Sequence, residues 1–213
     1  MNGALLQARL HAGYAKAAKR VGLPFDLYRP NGPNNPLAPG NLIATLPASF
    51  RVDDEYKQAQ GYGTSVWLAY VDDSITQVGD YLVGDKGPFF IAAQRPLLPV
   101  MTVNCTRTLT VLRMAVPDGF GALGYGGNVE GTEIPVLTGW PASVLQGGGG
   151  GSNGVGLPSD VSGSVWMVSL PALPGVMIQP SDIVIDDIGR RYIISLSELT
   201  DRGWRLTMQQ AVT

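Results

Sequence analysis

The chain repeats itself. The stretch Asp80-Tyr-Leu-Val-Gly-Asp85-Lys-Gly87-Pro-Phe-Phe90-Ile91 returns as Asp182-Ile-Val-Ile-Asp-Asp187-Ile-Gly189-Arg-Arg-Tyr192-Ile193, without a gap and at an offset of 102 residues. Each copy reads as a β-hairpin. Tyr81–Val83 pairs with Phe89–Ala93, and Ile183–Ile185 with Arg191–Ser195, because β-branched and aromatic residues fit a pleated surface. Between the arms sit Asp-x-Gly turns, where Gly takes positive φ without steric cost. Asp80 and Asp182 stand just before a strand, where a short carboxylate accepts backbone N–H groups. One Asp-turn-Gly is common and says little. Two in register, each preceded by a Trp-led apolar run (Trp67–Val71 and Trp166–Leu170), read as an internal duplication.

The duplication decides how to divide 213 residues, a length that suits one large or two small domains. The expected architecture is mainly β: two related small β-barrel or sandwich units behind an N-terminal helix. Residues 1–22 are the helix, 23–116 the first unit and 117–213 the second, with a Gly-rich loop at 146–156. Only 15% of the residues are charged, well under the usual quarter, so much of the surface is polar without charge, as suits a surface covered by partners. Net charge −2 and the lack of a dominant basic patch argue against sequence-independent grip on a nucleic-acid backbone. One cysteine, Cys105, rules out an intramolecular disulfide, and with His11 the only histidine a zinc site is not expected. The first residues lack a charged start followed by an apolar core, and the longest apolar run, Pro88–Met101, is broken by Gln94, Arg95 and prolines. Neither a signal peptide nor a membrane span is expected.

Residues 4–21 carry Leu6, Leu10, Tyr14, Ala17 and Val21 at helical spacing, a stripe expected to face the core, with Asn2 as cap and Gly22 as stop. Leu23–Pro30 is an extended strand. Asn31–Gly40 is turn chemistry in succession, either loosely ordered or laid across a neighbour. Asn41–Leu46, Ser65–Val71 and the Asp80 hairpin supply further strands. Val100–Val116 reads as one long strand. Met101, Val103, Cys105, Leu109 and Val111 lie on its apolar face, and Thr102, Asn104, Thr106, Thr108 and Thr110 on a wet one, with Arg107 at the rim. Thr132–Leu145 reads as a strand pair bent at Trp140-Pro141, Gly147–Gly151 as a flexible loop, and Trp204–Val212 as the last strand. The order suits small closed or nearly closed barrels.

Catalytic signatures are missing from this pattern. Residues 117–127 are glycine-rich but lack a P-loop's Gly-Lys-[Ser/Thr] and a following helix, and no Gly-x-Ser-x-Gly elbow occurs. The acidic runs Asp53-Asp54-Glu55, Asp72-Asp73 and Asp186-Asp187 suit solvated turns rather than a paired-carboxylate site, and no calcium loop is present. Trp67, Trp166 and Trp204 fall in strands, where they are expected in the core. No catalytic, cofactor-binding or metal residue is assigned, and no cofactor is expected.

At the repeated hairpins, at Gly13-Tyr14-Ala-Lys-Ala-Ala-Lys-Arg-Val-Gly22 with Tyr28-Arg29-Pro30, at Phe90-Ile-Ala-Ala-Gln94 through Pro99, and at Glu198-Leu-Thr-Asp-x-Gly-Trp-Arg-Leu206, the chain resembles structural proteins of tailed bacteriophages. The hairpin module is similar to the β-barrel of head-closure and neck proteins. Those carry one barrel, and this chain has two. The resemblance implies a non-enzymatic virion protein at the neck or head–tail interface. It would form a homo-oligomeric ring of six or twelve copies around the DNA channel and contact portal, adaptor or tail components. DNA would pass without sequence-specific binding, and no membrane would be involved. The loops 31–40, 117–127 and 146–156 are the expected intersubunit contacts. The alternatives are a tail or capsid-surface component, or a glycan-binding or glycan-cleaving module built on Trp140 and a carboxylate pair.

Overall fold

The computed structural model describes residues 2–52, 65–114, 133–147 and 165–210. The Asn2 side chain accepts the Ala4 N–H at 3.1 Å and starts helix α1, Gly3–Val21. Gly22 ends it, its N–H bonded to the Ala18 carbonyl, after Lys19 and Arg20 in the last turn.

The helix packs along one edge of the expected stripe: Tyr14 reaches the barrel and Leu10 and Ala17 are half-buried, but the two ends of the stripe are not covered. Ala18 is its buried residue, and Leu6 and Val21 stay exposed. Contacts beside Ala18 set the rotation. The Tyr14 ring lies 5.4 Å from Tyr70, the Tyr14 hydroxyl donates to the Leu97 carbonyl, and His11 pairs with Asp73.

Six strands follow: β1 Leu23–Tyr28, β2 Leu42–Val52, β3 Val66–Tyr70, β4 Tyr81–Gly84, β5 Gly87–Ala93 and β6 Val100–Asn104. They close into an antiparallel barrel in the order β1-β2-β3-β6-β5-β4. Six more, β7 Arg107–Met114, β8 Glu133–Gln146, β9 Val165–Leu170, β10 Ile183–Asp186, β11 Arg191–Thr200 and β12 Gly203–Gln210, close in the order β7-β8-β9-β12-β11-β10. Adding six to each strand of the first order gives the second, so the duplication seen in one hairpin extends to the whole unit. Closure pairs every strand edge, which removes the sticky edges an open sheet would leave.

The two hairpins differ by one residue. Gly84 pairs with Gly87 around Asp85-Lys86, whereas the Asp186 N–H reaches the Arg190 carbonyl around a longer turn. Tyr81 therefore faces Phe90, but Ile183 faces Ile193. The gapless echo slips by one after the turn, and Ile91 corresponds to Ile194. Gly87 and Gly189 carry the positive φ the turns require.

The expected long strand over 100–116 is two strands. β6 closes the first barrel and β7 opens the second, so the units meet at Cys105-Thr106 rather than near residue 116. The alternation misleads because it stays in phase across the junction. Val103 and Cys105 point out of the first barrel, Leu109 and Val111 point into the second, and all four join one hydrophobic cluster. The opposite face is not uniformly wet: Thr102 is buried inside the first barrel, its hydroxyl donating to the Trp67 carbonyl.

Glu133–Gln146 is one strand, not a bent pair. A bulge at Gly139 (φ +69°) takes up the irregularity, and Trp140-Pro141 stay in the ladder.

Candidate assembly surfaces

In each barrel the same geometry centres on a carboxylate. Asp80 accepts from Arg29 Nε at 2.9 Å, from the second Arg29 nitrogen at 2.8 Å and from the Gln77 N–H at 2.8 Å. Asp182 accepts from Arg113 Nε at 2.9 Å, from its second nitrogen at 2.8 Å and from the Gln179 N–H at 2.8 Å. Arg29 also donates to the Ile75 carbonyl, and Arg113 to that of Met177. Each clamp ties the end of the first strand of its barrel to the loop before the fourth. The hydrogen bonds to the carboxylates raise both guanidinium pKa values further. Sequence reasoning found the two aspartates as amide acceptors and missed the arginines.

The barrels are joined by more than a linker. The Cys105 N–H donates to Pro88 in the first barrel, and the Thr106 N–H to Ala142 in the second. Thr106 Oγ1 also donates to the Val144 carbonyl and accepts the Val144 N–H. The buried Tyr81 hydroxyl crosses from the first barrel to the Pro141 carbonyl at 2.8 Å. Burial pushes the Tyr81 phenol and the Cys105 thiol up from their ordinary pKa values.

The connector 31–40 lies across the second barrel of its own chain. The Pro33 carbonyl accepts the Thr138 N–H at 2.9 Å and the Trp140 indole N–H at 2.7 Å, beside the Gly139 bulge. Of the loops expected between subunits, 117–127 lies outside the described residues, and so does 148–156.

The acidic runs do not converge. Asp72 accepts the Ser74 N–H and hydroxyl, and Asp73 pairs with His11. Asp186 is buried and accepts from the Ile188 and Arg190 amides and the Tyr192 hydroxyl, while Asp187 reaches Arg107 at 3.8 Å. Asp53-Asp54-Glu55 lies outside the described residues. Trp140 is buried with its N–H engaged, so it offers no open face to a sugar. Trp204 is in the second core, and Trp67 and Trp166 pack against the two cores. Among the described residues no group of three or more His, Cys, Asp or Glu stands ready for a metal ion.

Two surface features remain. The mouth of the first barrel is a cavity of about 330 Å³ lined by Phe25, Phe50, Trp67 and Phe89, with Lys86 at its rim. The outer surface carries many exposed large apolar side chains, including Leu6 and Val21 on α1 and Met167, Ile193 and Leu196 on the second barrel. The chain matches no family model, no curated protein and no solved structure.

Proposed function

We propose that this chain is a non-enzymatic structural protein of a tailed-phage virion, at the neck or head–tail interface. It forms an oligomeric ring around the DNA channel, with portal, adaptor or tail components as its other partners. The observation that carries the reading is a two-barrel block, joined through a shared core, whose outer strands still expose large apolar side chains. A block of this kind suits a part that transmits position and load between neighbours. The sequence resemblance to head-closure and neck proteins is what supports the location. The mechanism is geometric: barrel faces bury against adjacent copies, and a weakly acidic surface lets DNA pass without holding it.

The test is the mass of the purified protein by light scattering, with negative-stain images of the same sample. Rings of six or twelve copies with a central opening are expected. A protein that stays single and selects sugars on a glycan array would overturn the reading in favour of a carbohydrate-binding module.

A further inference from the structure

The duplication allows each face of one barrel to be compared with the same face of the other. On the first barrel, the outer side of β5, β6 and β3 presents two cross-strand rows. Phe90 pairs with Val103, which pairs with Val66; Ala93 pairs with Met101, which pairs with Leu68. Phe90 and Val103 are 1% and 5% exposed, because the second barrel lies on them. By register, the same rows on β11, β12 and β9 are Ile193–Gln209–Val165 and Leu196–Thr207–Met167. Among the described residues nothing lies on them: Ile193 is 43% exposed, Leu196 66% and Met167 40%. One patch is therefore covered in the first barrel and open, still largely apolar, in the second.

What covers the first patch can also be traced. The second barrel sits on it through β8 and the β11–β12 turn, as shown by the Tyr81–Pro141 hydrogen bond and the groove between Phe90, Met101 and Thr200–Arg205. The matching side of the first barrel, β2 and β3 with the β5–β6 turn, is occupied by α1. The chain is thus a head-to-tail series in which α1 sits on barrel one as barrel one sits on barrel two. Its open ends are the outward side of α1 and the Ile193–Leu196 patch.

These ends complement each other. The flank of α1 beside its packed side carries exposed Leu6, Gly13 and Val21 with half-buried Leu10 and Ala17 between them at helical spacing, and a Cβ added at Gly13 would meet nothing within 4 Å. The helix holds four of the fifteen Lys and Arg residues and none of the seventeen Asp and Glu, leaving the rest of the chain acidic. We propose that a second copy of this chain seats the Leu6–Val21 flank of its α1 on the Leu196–Met167 patch of the second barrel, so that copies join head to tail. Head-to-tail contacts close into rings when the rotation per copy allows it. This inference rests on the ring reading above and assigns the surfaces that would form the joint.

The test uses the full chain with Leu196→Glu plus Met167→Glu, Leu6→Glu plus Val21→Glu, and Ile43→Glu as an exposed apolar control elsewhere. Circular dichroism confirms that each is folded. Light scattering is expected to show the first two variants falling from the assembled mass to the 22.5 kDa single chain, with the control still assembled. In an equimolar mixture, Leu6→Cys and Leu196→Cys chains are expected to cross-link to each other under mild oxidation, and neither alone. Assembly that survives both double variants, or cross-linking absent from the mixture, overturns the assigned surfaces while leaving the ring reading intact. A wild-type chain that stays single at every concentration overturns both.

Discussion

Asp80 and Asp182 are almost fully buried, and each receives a two-pronged guanidinium and one backbone amide. Burying a carboxylate is costly unless charge and hydrogen bonds replace its water, and the forked geometry of Arg does both. Removing the arginine strands the carboxylate, and that penalty exceeds anything the pair gains over an apolar substitute. Because each guanidinium is about one-third exposed, water recovers part of the loss. Arg29→Met and Arg113→Met are each expected to cost about 2–3 kcal/mol in urea unfolding, with unchanged m-value. A cost below about 0.5 kcal/mol would mean the clamps behave as ordinary surface pairs. The aspartates were legible because they precede strands within a gapless repeat. The arginines were not, because Arg29 and Arg113 stand at a different spacing from Asp80 and Asp182: the second unit has longer connections between its first and fourth strands.

At the scale of elements, what could be read was whatever local chemistry decides. The helix limits, the hairpin arms and their glycine turns follow from caps, period-two alternation and positive φ. What could not be read was which neighbour each face would meet. The stripe on α1 has sound helical periodicity, yet only Leu10, Tyr14 and Ala17 are partly covered while Leu6 and Val21 stay exposed, because the contacts of His11, Tyr14 and Ala18 fix the rotation. The run through Cys105 alternates without a break, although it passes from the outside of one barrel to the inside of the next. Periodicity reports which residues share a face, not what that face will meet. This junction yields a pH prediction. The Cys105 thiol and Tyr81 phenol are neutral when protonated, and burial holds their protons on in the folded state. The unfolded chain gives them up at about pH 8.5 and about pH 10. Their contribution to stability is therefore full below those values and is lost as pH rises, by up to about 1.4 kcal/mol per pH unit for each group. A urea-midpoint series from neutral to about pH 11 is expected to fall on the alkaline side, and Cys105→Ala to flatten its first part. A wild-type midpoint that stays level to pH 11 would contradict the burial of both groups.

For the whole molecule, the decisive feature is that one hydrophobic cluster contains Tyr81, Phe90 and Val103 of the first barrel together with Leu109, Trp140 and Leu206 of the second. Opening the second barrel uncovers the apolar outer face of the first, and opening the first removes part of the cluster that packs against the second, although the first barrel keeps an inner core of its own. Heating is therefore expected to give a single transition in which calorimetric and van't Hoff enthalpies agree. Two resolved transitions would mean that the shared core contributes little. The same arrangement affects how the chain is made. The first barrel is complete once Asn104 has left the ribosome, but its covering partner needs about a hundred further residues. At roughly 5–20 residues per second, Phe90 and Val103 stay bare for about 5–20 s. Through that interval the nascent barrel shows solvent the very rows that its finished sister leaves open, so newly made chains crowded on one messenger are at their most adhesive before they are whole. Slowing synthesis beyond Asn104 would lengthen that exposure, and a chaperone that binds apolar strands would have its best access then.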